Sequence, residues 1–571
     1  MKVEQNLNLN IKQIQTQKNS EGKIKQNNTN QAVPQQNFNG AGGLFLRFLD
    51  TNPAWGADAV DLGFMVIPRT CTDFSRGPSA GFETMRREGM GTTNHSLVPV
   101  YGSMAGYLVA AGLNRAYDFK AGGVKANKVF ADSETMTMMG KLYDKELKNA
   151  ASEAKTQPLK TFLERYFQNY EALSPHQNGQ YIKIKEHDAK SAAEILYEEI
   201  KKDGKKISKE GFNNARARIM SSLGGIENNF RIVSEDPNRL HTSRYSVDTI
   251  IDNAYKLGKL FDNEKVVQSF NNATDFAQNA FIKSMKAMNI KRSIIGVGLA
   301  SILGVCAQPF NMYLTKKKTG ESGFVGGGKE DKSAGFKAKK TLAALAFEAF
   351  ALSTIGNPKD LIQNIQFKGM NPTIKQFKFI YGITIFSRFL AARNSNELAE
   401  VAVKDTLGFA SWLILGNFVQ KLVAQALDKD LIKKDGHGML KWITGSVLKT
   451  RDEILHASLG EKAFKDGKAL KYNQMVKLAD KATKVKLGKL TAAQIVNYIY
   501  TGLVLGIGIP KLNIFLTGRR EAKQAKKEAE YKIPQSNISM TGAVPFMQSK
   551  GGVLNEANLN LMKNTGLSLI N

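Results

Sequence analysis

The sequence predicts a mainly α-helical chain: a multi-helix membrane-associated bundle with a polar helical insert and disordered termini. Three observations predict it. Residues 293–315 carry no charge and are bracketed by Lys291 and Arg292 on one side and by Lys316, Lys317 and Lys318 on the other, which is the length and flanking charge of a membrane-crossing helix. Four further apolar segments follow before residue 517. Residues 115–291 are polar and charged instead, with apolar residues at helical spacing in "SAAEILYEEIKK" and "VDTIIDNAYKLGKLF".

Composition narrows the partners. The chain holds 80 Lys+Arg against 51 Asp+Glu, a formal charge of +29. That excess calls for something anionic, and its spread along the chain suits a lipid surface better than nucleic acid. Basic runs interleaved with aromatic residues, as a single-strand binder needs, are missing. Two cysteines, Cys71 and Cys306, give no disulfide framework.

Taken in order, residues 1–40 are rich in Asn and Gln and hold no apolar core of the roughly 7–15 residues that a signal peptide requires. They read as a disordered leader. Residues 41–114 form a Gly/Ala-rich apolar region with a candidate first span at 96–114, where Gly102 and Gly106 make a GxxxG face for close helix approach. Residues 115–291 are expected to be a polar helical domain. Within it "GKLYDKE" (140–146) and "GKLFDNE" (258–264) echo each other, a resemblance that a chance match explains better than matched helix-end caps.

Residues 292–520 are expected to form the apolar bundle, with a basic Gly-rich linker at 316–340 and a Lys-rich insert at 428–490. Gly296, Ala300 and Gly304 recur four apart on the first helix, and Gly502 and Gly506 form another GxxxG on the last. The segments at 341–356, 376–392 and 406–420 are shorter and carry or abut a charge. Glu348, Arg388 and Asn417 lie inside these apolar runs; ionisable groups in hydrocarbon face a partner or a water path, which a Glu348–Arg388 pair would provide, the alternative being that Arg388 snorkels at a helix end and Glu348 marks a helix that never crosses. Residues 521–571 read as a charged, then flexible, tail.

Two stretches resemble each other: "NMYLTKKK" (311–318) and "NIFLTGRR" (513–520). Each follows a proline, Pro309 or Pro510, at which an apolar helix can break. Asn311 or Asn513 is then placed to bond freed backbone, Tyr313 or Phe515 to sit at interface depth, and the basic cluster to meet head groups. If both repeats lie on one face of a membrane, the number of crossings between them is even, and four candidate segments are available.

Chemical motifs are weak. "GPSAG" (77–81) matches a nucleophile elbow around Ser79, but a polar segment rather than a strand precedes it. "GFVGGGKE" (323–330) resembles a phosphate-binding loop with Glu330 where Ser or Thr should stand. The six histidines are scattered without metal-ligand spacing. No catalytic, cofactor or metal residue is therefore assigned and no cofactor is expected. The expected function is an integral membrane helical protein of structural, scaffolding or solute-passage type. Its partners would be a bilayer with anionic head groups and, second, a homo-oligomer, and its place a membrane of the bacterial inner-membrane type. The alternatives are a soluble or peripheral, cytoplasmic basic helical protein binding anionic membrane surface or nucleic acid, and a hydrolase at Ser79.

Overall fold

The computed structural model describes residues 41–531, except 76, 120–122, 153–156, 175–179, 203, 234–242, 321–329, 434–446 and 466–467. The leader at 1–40, the tail beyond 531 and most of "GFVGGGKE" lie outside the described residues. The chain is mainly helical.

One helix organises the molecule. It runs Ala280–Thr319, about 60 Å at 1.5 Å per residue. Asn279 caps its start by accepting the Ile282 N–H, and Gly320, at φ 78°, ends it. It crosses the expected boundary at 291/292 without interruption. Its first turns bury Phe281, Ile282, Met285 and Met288 in the core of the polar lobe, whereas Val297 and Ala300 are buried in the bundle. Pro309 does not break it. Asn311 Nδ2 donates to the Ala307 carbonyl at 2.8 Å, and the helix continues for ten residues past the proline.

The polar lobe packs helices Ser133–Ser152, Pro158–Gln168, Glu186–Lys201, Lys209–Ser222 and Val247–Phe261 around an aromatic core. Serine caps fix two of the starts: Ser208 accepts from Gly211 N–H and Ser246 from Thr249 N–H. The lobe also contains a small antiparallel sheet, absent from the sequence reading. Its strands are β1 (Tyr170–Leu173), β2 (Tyr181–Lys183) and β3 (Phe230–Ile232), in the order β2-β1-β3, with Ala172 opposite both Ile182 and Phe230. The strands are too short for a periodic signal. The two echoed stretches meet here: Tyr143 stacks on Phe261 at 4.4 Å and donates its hydroxyl to the Phe261 carbonyl at 2.9 Å. Only the second echo ends a helix; the first lies inside Ser133–Ser152.

In the bundle, successive helical runs alternate in direction, with Pro78–Ser96 and Val98–Val109 forming one run, as the side-chain contacts between them establish. Segment 53–74 runs antiparallel to Pro78–Ser96, with Asp61 paired to Thr92 and Asp73 to Thr84. Pro78–Ser96 runs antiparallel to the long helix, Asn94 meeting Ala300 and Arg86 meeting Asn311. Helix Ile374–Ala391 is parallel to the long helix, because the Phe367 N–H bonds Ser293 at the near end while Gly304 abuts Thr384 further on. Ala334–Ser353 and Ser395–Leu427 both run antiparallel to Ile374–Ala391. Finally, Tyr498 stacks on Phe64 and Gly506 abuts Pro68, so the last helical run is parallel to 61–74 and hence to the long helix. Both repeated N-x-aromatic-L-T stretches therefore leave the bundle at the same end.

The lobe and the 428–490 insert share the opposite end. They are joined by Arg216 with Asp452 at 3.3 Å and by the Glu227 N–H with Glu453 at 3.4 Å. The insert has its own apolar core, including Leu431, Leu455, Tyr472 and Leu487.

Among the described residues, three helical runs are long and apolar enough to cross a membrane: Ala280–Lys318, Ser395–Leu427 and Lys481–Arg520. The 406–420 segment is thus part of a longer run. The candidate span at 96–114 is not one helix: it divides into Val98–Val109 and Ala111–Ala116. The last helix continues to Tyr531, beyond the expected start of the tail.

Candidate functional site: a buried polar interior

The packing glycines determine where polar groups can be buried. At the crossing of Val98–Val109 with the long helix, a Cβ on Gly296 would come within 2.9 Å of the Gly102 Cα. With no side chain at either position, the two backbones touch. Gly106 lies against the Arg292 guanidinium, Gly304 against Thr384, and Gly506 against Phe64 and Pro68. Gly502 faces Phe64 more loosely, and Ala300 is fully buried.

Arg292, read from sequence as a flanking charge for head groups, is instead wholly buried. It donates to the carbonyls of Val129 (2.6 Å) and Asn127 (3.1 Å) and lies 4.2 Å from the Phe130 ring centroid. Backbone carbonyls and an aromatic face, rather than a carboxylate, receive the guanidinium, and its Nε is left without a hydrogen-bond partner. Its neighbour Lys291 stays exposed.

A charge network occupies the centre of the bundle. Glu88 accepts from Lys404 at 3.0 Å and lies 3.4 Å from Arg69; Arg388 donates to Asp405 at 3.0 Å and reaches Glu88 at 4.0 Å. Arg69 Nε also donates to the Leu505 carbonyl at 3.1 Å. Leu505 sits in a π-helical turn, Gly502–Gly508, whose wider winding lets a backbone carbonyl turn aside for a side chain. The expected Glu348–Arg388 pair is not formed, because Asp405 on the next helix takes the guanidinium. Glu348 Oε2 is buried without a hydrogen-bond partner, near Gly382. The Asn417 side chain lies outside the described residues.

Next to this network lies a second constellation. Asp61 opens another π-helical turn, Asp61–Val66, and Asp58 precedes it on the same face. Thr92 donates to Asp61 Oδ2 at 2.6 Å, and Ser96 donates to Asp58 Oδ2. His95 lies between these hydroxyls in sequence and is 1% exposed. Its ring is held by Phe377, Tyr381 and Trp412 at centroid distances of 5.4, 5.5 and 6.2 Å. Trp412 belongs to the third π-helical turn, Ala410–Leu415, and donates its indole N–H to the Ala57 carbonyl at 3.1 Å. Trp412, Ala57 and Val60 also line a cavity of about 300 Å³ that extends to Gln494 and Tyr498.

Asn311 and Asn513 are both buried, at 3% and 4%, while Tyr313 and Phe515 are both exposed. Asn311 Oδ1 accepts from Arg86 at 2.9 Å, whereas Asn513 Oδ1 has no hydrogen-bond partner. Pro510 is the second residue of Ile509–Tyr531, directly after a π-helical turn. Ser79 is exposed in the first turn of Pro78–Ser96, and a helix, Ile67–Phe74, precedes it where a nucleophile elbow needs a strand.

Sequence reasoning missed the Asp58, Asp61 and His95 grouping. The available signal was "DAVD", two acids three apart in an apolar stretch, which one helical face brings together. No family model matches the chain, and no curated protein or solved structure matches it either.

Proposed function

We propose that the chain is an integral membrane protein whose helical bundle passes a small polar or charged solute, with the polar lobe and insert on one side of the bilayer. One observation carries this reading, the position of the exposed apolar side chains. On the long helix they run from Ile294 through Ile295, Leu299, Ile302, Leu303 and Phe310 to Tyr313. On the last helical run they extend from Ile495 to Phe515. At 1.5 Å per residue both belts are about 30 Å tall, the thickness of a bilayer's hydrocarbon core. Among the described residues of the lobe, from Ala110 to Met288, no large hydrophobic side chain is exposed.

The charged interior favours passage over scaffolding. Arg69, Glu88, Arg388, Lys404 and Asp405 lie inside an apolar-coated bundle, where ionisable groups mark solute or ion paths. The described ends of the 316–340 linker, a segment with eight Lys against three acidic residues, lie at the end opposite the lobe. By the positive-inside rule that end faces the cytoplasm and its anionic head groups.

Carbonate extraction of membranes from cells expressing the full chain tests the insertion: it should stay in the pellet, and release into the supernatant refutes the reading. Cys306 supplies a second measurement. It is exposed on the long helix within the apolar belt. In intact membranes, in a chain carrying Cys71→Ser, neither a charged nor a permeant maleimide should modify it until detergent unfolding exposes it, because maleimide addition needs a hydrated thiolate; labelling of the native chain would place it in water.

A further inference from the structure

We infer that Asp58, Asp61 and His95 form a binding site for a divalent first-row transition-metal ion. One donor atom from each of the three comes within 4.8 Å of the other two. All three residues are more than nine-tenths buried. Their free atoms point to a missing ligand: Asp58 Oδ1, Asp61 Oδ1 and His95 Nδ1 are all buried without a hydrogen-bond partner. Burying polar atoms without partners is unfavourable, and here three such atoms belong to the residues of one cluster. A cation bonded to all three removes that cost and neutralises two adjacent carboxylates.

The surroundings orient the donors. Asp58 and Asp61 are three residues apart on one helical face, and Thr92, His95 and Ser96 share the facing side of Pro78–Ser96. The Thr92 and Ser96 hydroxyls each hold one carboxylate oxygen, leaving the other free. Such outer hydrogen bonds fix carboxylate ligands in metal sites. The His95 ring is clamped by Phe377, Tyr381 and Trp412. Ligand bonds of about 2.0–2.2 Å place donors about 3–4 Å apart, so small side-chain rotations close the cluster around an ion. Two carboxylate oxygens and one imidazole nitrogen suit Zn²⁺, Mn²⁺, Fe²⁺ or Co²⁺ better than the all-oxygen preference of Mg²⁺ or Ca²⁺, or the thiolate preference of Cu⁺. This inference does not depend on the bundle being in a membrane, since burial and donor chemistry are the same either way.

The test uses the full chain purified in detergent and stripped with EDTA. Co²⁺ titration followed by visible absorption, and Zn²⁺ retention measured by elemental analysis after gel filtration, should each give one ion per chain. Asp61→Asn and His95→Gln should weaken binding at least about tenfold, with helicity unchanged by circular dichroism. If either variant fails to fold, Asp58→Asn takes its place, and the wild-type chain still decides: Zn²⁺ should raise its melting temperature and displace Co²⁺. Failure of the wild type to retain either ion overturns the inference, as would folded variants that bind like the wild type. Because binding is measured in detergent, its failure is distinguishable from failure of the carbonate extraction.

Discussion

Arg388 donates to Asp405 across two antiparallel helices at 3.0 Å, with side chains only 13% and 5% exposed. A buried pair of this kind contributes little net stability as long as both members stay, because desolvation offsets the attraction. Removing Arg388 leaves Asp405 charged and unpaired, and removing Asp405 leaves Arg388 only its 4.0 Å contact with Glu88. Arg388→Ala or Asp405→Ala should therefore cost about 3–5 kcal/mol, seen as a large fall in melting temperature in detergent. Replacing both with apolar residues of similar volume, Arg388→Met with Asp405→Leu, should recover most of the loss. A double variant as unstable as the singles would show that the pair is not an isolated unit within the Glu88 and Lys404 network.

The partner of Arg388 illustrates what the sequence could and could not convey. Its position in an apolar run announced a buried charge, because polar groups in such runs need partners. The sequence did not show which carboxylate answers it, since Asp405 and Glu348 lie on different neighbouring helices and only packing selects between them. The long apolar helices and their small-residue faces were legible because they are periodic and local. Arg292 was misread for the opposite reason: at the edge of an apolar run it looks like a head-group anchor, and only the chain folding back at Asn127 and Val129 gives it buried acceptors. The three π-helical turns around the polar interior have no periodic signature, so the site they shape was invisible. His95 stands 34 positions from Asp61, beyond any local pattern.

The Gly102–Gly296 crossing gives a prediction with a control on the same helix. A Cβ at 296 meets Gly102 backbone at 2.9–3.0 Å, and backbone cannot rotate away. One at 298 meets nothing within 4 Å. Gly296→Ala should destabilise by about 1–3 kcal/mol through overpacking. Gly298→Ala should be neutral or stabilising by about 0.5–1 kcal/mol, as expected for alanine in place of glycine inside a helix. Thermal unfolding of the two variants side by side checks this, and equal effects would mean that the crossing has slack.

The insert should loosen in mild acid, and His456 is the reason. It lies on Arg451–Leu459, 6% exposed, with its Nδ1 unpartnered and its Cβ against Gly225 of the lobe. Burial lowers its pKa to about 4; Asp452 opposes this, and Arg216 and Arg47 add to it. An unfolded histidine titrates near 6.5. Between those values the unfolded state takes up a proton that the folded state refuses, so stability is complete above about pH 6.5 and is lost as pH falls toward 4. The difference corresponds to about 3 kcal/mol, or roughly a hundredfold in opening equilibrium. Two neighbours act elsewhere. Burial would raise the Asp452 carboxyl, but Arg216 and Arg47 hold it below its usual value, so its own contribution is lost only at lower pH. Glu227 is raised by burial and by Asp452, which makes it stabilise the lobe as pH falls through its folded pKa, partly opposing His456. Comparing the wild type with His456→Gln isolates the histidine. Hydrogen exchange on Arg451–Leu459, measured on both chains at pH 7.5 and 4.5, should show wild-type protection falling far more steeply on acidification than that of the variant. Identical falls would assign the acid sensitivity to the carboxylates instead.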